Sequence, residues 1–152
     1  MIVSVFDVAA FILQKKGALT AMKLHRIIYY CQAWSLVWDE KPLFSERIEA
    51  WANGPVVPDL YNTHKGKFKI DVADIQGNPG VLNQQQQETV IAVLRDYGDK
   101  CSQWLSDLSR TESPWLKARD CLPPTERGNN QIDLDIMREY YDYVYQNGDL
   151  ID

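Results

Sequence analysis

Eighteen residues, Ala21 to Trp38, constrain this chain more than any other segment. Leu24, Ile27, Ile28, Cys31 and Trp34 recur at helical spacing, while Met22, Tyr29, Tyr30, Ala33 and Val37 cover the remaining faces. A helix that is apolar nearly all round must be covered on every side, so this segment predicts a central, buried helix with the rest of the chain wrapped about it. Thr20 stands where a side-chain cap would open it. Its length and the polar residues within it argue against a membrane span, which needs about 20 predominantly apolar residues.

The flanking segments supply the wrapping. Ser4 and Asp7 form a reciprocal cap for a helix over Val5–Lys16, and Gly17 ends it. Asn83 opens a helix whose inward face is Val90, Val93, Leu94 and Tyr97, broken at Gly98. A short helix follows from Ser102 to Leu108, and Ser113-Pro114 starts another. Asp133 caps a last helix with Leu134, Met137, Tyr140, Tyr141 and Val144 inward, ending at Gly148. The expected fold is mainly α within the α+β class: a compact helical domain with a small two- or three-stranded β element. At 152 residues the expectation is a single domain over residues 1–152, large enough for a core without metal or disulfide support.

The β element is announced by the stretch Glu49 to Tyr61. Arg47 to Ala52 alternates as a short strand. Asn53-Gly54 tolerates left-handed geometry, Pro55 fixes its own φ, and Pro58-Asp59 suits the first turn of a helix. The reading is strand, rigid turn and helix, with Trp51 at the junction. From Gly66 to Asn83 a long loop is expected, with one short strand near Asp74-Ile75-Gln76 pairing with the Ile48 segment.

Chemical centres are hard to assemble. Three cysteines are an odd number with no C-x-x-C pair, which disfavours a disulfide framework and a zinc site. His25 and Cys31, six apart on one helix, lie on different sides and nearly two turns apart. His64 could reach either only through a long-range contact, and two histidines that far apart make a poor metal site. There is no glycine-rich phosphate loop. The expectation is therefore no catalytic residue, no cofactor and no metal. The net charge of −5 is uneven: residues 1–70 carry nine basic and six acidic groups, residues 71–152 seven and fifteen. That balance disfavours sequence-independent nucleic-acid binding, which needs a basic footprint. No 18-residue apolar run and no signal-like N-terminus are present, so a cytoplasmic protein is expected.

Five tryptophans in so short a chain suggest that some border a partner surface. The candidates are Tyr30 and Trp34, spaced by four on the central helix, together with Trp51, Asn53, Gly54, Pro55 and Trp115. The corner carrying Trp51 is expected beside the aromatic face of the central helix. Packing of the same aromatics into the core is the competing reading.

The order of these segments carries a resemblance. Leu19 to Leu36, Pro42-Leu43-Phe44, Trp51 to Tyr61, Thr111 to Trp115, Ala118-Arg119, Leu122-Pro123 and Met137 to Tyr141 resemble the Panacea domain. This is the SocA-like antitoxin family of bacteria and their phages, which includes phage-associated proteins of the GepA type. The likeness runs from about Ser4 to Tyr141, with one departure: Arg110 stands where the family pattern leads to an expected histidine. The resemblance implies an antitoxin of a type II-like toxin–antitoxin system that neutralises a co-encoded protein toxin by direct binding. A proteolytic adaptor delivering a toxin to an AAA+ protease is the alternative it leaves open, and a small hydrolase-like enzyme is disfavoured.

Overall fold

The computed structural model describes residues 2–148. The elements, in chain order, are α1 (Val5–Lys16), β1 (Leu19–Thr20), α2 (Ala21–Trp38), β2 (Glu49–Trp51), β3 (Gly54–Val56), α3 (Pro58–His64), β4 (Lys69–Ile70), α4 (Gln84–Tyr97), α5 (Ser102–Thr111), α6 (Ser113–Arg119) and α7 (Leu134–Asn147). Every residue of α2 from Leu24 to Leu36 is buried, as its all-round apolar pattern requires. Helices α1, α4, α5 and α7 pack around it. Tyr97 of α4 stacks on Tyr30 at 4.3 Å between ring centroids, and Tyr141 of α7 meets Tyr29 and Trp34.

Two polar side chains buried on the second half of α2, Gln32 and Ser35, serve the backbone of the segment that follows it. Gln32 accepts from the Leu43 N–H and donates to the Phe44 carbonyl, while Ser35 donates to the Lys41 carbonyl. An irregular segment can lie against the core because its peptide groups find partners there.

The strands form two separate antiparallel pairs. Leu19 faces Ile70 and Thr20 faces Lys69 in one. In the other, Glu49 faces Val56 and Trp51 faces Gly54 across the Ala52-Asn53 loop. The expected strand–turn–helix is thus a hairpin followed by a helix, since Gly54-Pro55-Val56 itself turns back and pairs.

The strand expected near Asp74 is corrected. Val72–Asp74 is a 3-10 turn, and the strand of that loop is Lys69–Ile70, paired with Leu19–Thr20 rather than with the Ile48 segment. Asp71 and Asp74 explain the difference. Asp71 Oδ1 accepts from the Val72 N–H, and Asp74 Oδ2 accepts from the Asp71 N–H. Such local side-chain bonds compete with a ladder for the same peptide groups. Ile48 finds its partner elsewhere, its carbonyl accepting from the Ile132 N–H at 2.8 Å. The end of the loop is clamped to α1, because the Asn78 N–H donates to Asp7 and Gly77 lies so close to the Phe6 backbone that a Cβ there would overlap it.

Candidate partner-binding site

Two adjacent residues on the first turns of α2 hold the hairpin. Arg26 is 2% exposed and donates from Nη1 to the Pro55 carbonyl, from Nη2 to the Asn53 carbonyl (both 2.7 Å) and from Nε to Ser106 Oγ at 3.2 Å. His25 Nδ1 accepts from the Val57 N–H at 3.2 Å. Gly54 passes over the guanidinium at φ +134°, and a Cβ there would come within 2.5 Å of Arg26 Nε. Glycine is required twice, once by its backbone and once by the close approach. The sequence motif and the basic residue 28 positions before it are one structural unit.

Helix α3 then brings His64 against His25, Nε2 to Nε2 at 2.8 Å. The separation expected between the two histidines is therefore corrected: their 39-residue spacing is closed by the hairpin that reverses the chain over α2. The Val57 bond fixes the tautomers. With His25 Nδ1 accepting, its proton sits on Nε2 and is donated to His64 Nε2, which leaves the His64 proton on a buried Nδ1 with no other described residue as partner. Burial holds His25 well below the ordinary histidine range, reinforced by His64 and Arg26, and burial lowers His64 as well. Both rings are neutral at neutral pH.

These residues line a cavity of about 840 Å³ open to solvent. Trp51, Tyr61 and Met22 supply its apolar wall, Asn53 its rim, and Lys65 and Arg127 stand at its mouth. The Trp51 indole meets the Tyr61 ring edge-on at 4.9 Å and donates to Glu49 Oε1. From behind, Trp115 Nε1 donates to the Trp51 carbonyl, and Arg119 Nη1 donates to the Ala50 carbonyl. The hairpin is thus fixed from α2 on one side and α6 on the other.

The sequence candidates divide into two groups. Trp51, Asn53, Gly54, Pro55 and Trp115 come together at the hairpin; Trp51 is half-buried and Asn53 exposed, while Gly54, Pro55 and Trp115 are buried. Tyr30 and Trp34 are buried on the α4–α7 side and do not border the cavity. The corner sits beside His25 and Arg26 rather than beside that aromatic face, which is occupied by Tyr97 and Tyr141. Tyr30 and Tyr141 each donate to Glu112 Oε1 at 2.7 Å, and Trp34 Nε1 donates to the Tyr97 hydroxyl. Burial pushes the Glu112 carboxyl up to about 7 in spite of those two bonds. Sequence reasoning missed His25, Arg26, Tyr61 and His64 as a group. The available signal was Gly54, whose need for close approach implied a large neighbour without naming it.

The sequence profile described as "Antitoxin SocA-like, Panacea domain" matches residues 24–116, more than half of the chain. The matched span begins on α2, takes in the hairpin and ends at Leu116 on α6, so it contains the Arg26–Gly54 unit and both histidines. The chain belongs to the SocA-like Panacea-domain family. No curated protein and no solved structure matches it. Family membership points to an antitoxin role in general and to a non-enzymatic one. Cys31 is fully buried, with its thiol raised by burial. Among the described residues no cluster of three metal-ligating side chains occurs, and no helix is long and apolar enough to cross a membrane.

Proposed function

We propose that this Panacea-domain protein is the antitoxin of a toxin–antitoxin pair and neutralises a co-encoded protein toxin by direct binding through the hairpin corner. The observation that carries the reading is a built, open cavity lined mostly by residues of the family-matched span, walled by Trp51 and Tyr61 and braced by Arg26 and Trp115. Half-buried aromatics on a fixed backbone are suited to anchoring a partner, because little motion remains to be lost on binding. Of the sequence candidates, Trp51 and Asn53 are the ones a partner can touch; Gly54, Pro55 and Trp115 set their position. Tyr30 and Trp34 act behind the surface, through the packing of α2 on α4 and α7. Neutralisation is then occlusion or conformational locking of the toxin. A standard interface buries about 1,600 Å² in total, more than the cavity alone offers, so the surface extends beyond the hairpin.

The test is inhibition of the purified toxin, encoded by the adjacent gene, in a defined assay without protease or ATP. Stoichiometric inhibition near one to one supports neutralisation by binding. Inhibition that appears only when an AAA+ protease and ATP are added would replace this reading with the adaptor.

A further inference from the structure

The cavity is cationic in a chain that is acidic overall. Its floor is the Arg26 guanidinium, its mouth carries Lys65 and Arg127, and none of the lining residues is acidic, against a net charge of −5 for the whole chain. Arg26 is the more telling feature. It is almost fully buried, yet its partners are two carbonyls and one hydroxyl, all neutral. No ion pair among the described residues includes it. The charged group that acts on it most strongly is Arg110, which repels it. A buried charge without a counter-charge is costly, and the usual remedy is an oppositely charged group close by. Within the described residues the fold supplies none, and Arg26 is one of the residues that line the cavity.

We propose that the cavity receives an acidic segment of the protein partner, with a carboxylate placed toward Arg26 between Lys65 and Arg127 and a neighbouring apolar side chain against Trp51 and Tyr61. The proposal rests on the antitoxin reading and adds the chemistry of the partner. A volume of about 840 Å³ lies in the range of sites that take a compact group, roughly 300–1,000 Å³, so a loop tip or chain end of the partner fits better than the side of a helix. The uncharged histidine pair makes a neutral side wall, so the basic side chains alone define the charge to be matched. Phosphate has the same charge sign, and a nucleotide is therefore the competing source of the anion.

The experiment is calorimetric titration of the adjacent gene's purified product into four samples. They are the wild type, Lys65→Glu/Arg127→Glu, the control Arg95→Glu, and the wild type pre-equilibrated with ATP or GTP. Lys65 and Arg127 are exposed, and Arg95 on α4 is exposed and away from the cavity, so all three proteins should melt within a few degrees of one another. The double reversal should weaken binding by about 30-fold or more and flatten its salt dependence, while the control stays within about twofold. Binding by the double reversal equal to wild type overturns the acidic-segment proposal and leaves the antitoxin reading intact. Micromolar binding of ATP or GTP that abolishes binding of the protein partner also overturns it, assigning the anion to a nucleotide. Failure of the wild type to bind at all removes the antitoxin reading itself, and this inference with it.

Discussion

Replacing Gly54 by alanine should be among the most destabilising single changes available in this protein, and the reason is Arg26. A Cβ at Gly54 would lie 2.5 Å from Arg26 Nε, 2.8 Å from Cζ and 2.9 Å from Nη2. The obstacle is not the loose end of a side chain, because the guanidinium is held by Asn53, Pro55 and Ser106. Holding a non-glycine residue at φ +134° costs on the order of 1–3 kcal/mol by itself. Displacing the guanidinium breaks one or two bonds to a buried charge, at about 1.5–3 kcal/mol each. The sum, about 2.5–9 kcal/mol, is a large part of the roughly 5–15 kcal/mol that stabilises a domain. Urea denaturation of four proteins separates the two contributions: wild type, Gly54→Ala, Arg26→Leu and the double variant. Leucine ends short of the Nε position, so in its presence the three nearest obstacles to the new Cβ are gone and the backbone cost dominates. The double variant should be at least about 2 kcal/mol more stable than additivity allows. Additive effects to within about 0.5 kcal/mol would refute the claim that Gly54 is required by Arg26, leaving the backbone as the sole reason.

Glu112 gives a pH prediction with a definite sign. Its carboxyl is raised from 4.5 to about 7 in the fold, so its stabilising contribution is complete below about pH 4.5 and is lost as pH rises through about 7. The loss amounts to about 3 kcal/mol, and Glu112→Gln, which keeps an acceptor for Tyr30 and Tyr141, should escape it. The buried neutral His25 and His64 act in the opposite direction below about pH 6.5 but are common to both proteins. The variant's melting temperature relative to wild type should therefore climb between pH 5 and pH 8, and a constant difference would contradict the assignment. Trp51→Ala should weaken toxin binding by about 2 kcal/mol or more, with the melting temperature within a few degrees of wild type. A melt far below wild type would make Trp51 a core residue instead. Cys31→Ala, if folded, should neutralise the toxin as well as wild type, and loss of neutralisation with an intact fold would revive a chemical role for the thiol.

The helices were legible because their signals are local. Ser4, Thr20, Asn83 and Asp133 each cap the helix they precede through their own side chains. The burial of α2 followed from its composition alone. The β pairings were not legible, since a two-residue strand such as Lys69–Ile70 carries almost no pattern, and Asp71 and Asp74 spend the neighbouring peptide groups locally. At the site, sequence pointed to the Trp51–Pro55 turn, but the residues that hold it, His25 and Arg26, lie on a helix whose apolar character drew attention away from them. Tyr30 and Trp34 were indistinguishable by spacing from interface aromatics. Only the positions of Tyr97, Glu112 and Tyr141 reveal that they are enclosed.

Hydrogen exchange on this protein, alone and bound to the toxin encoded beside it, tests the central claim most directly. Binding through the hairpin corner should protect amides of residues 51–54, 61–65 and 127–129, around the cavity. The amides of α2 from Ile27 onward, already buried, should change little. Protection confined to the acidic α7 face, with the hairpin and the 127–129 segment exchanging as in the free protein, would contradict the account.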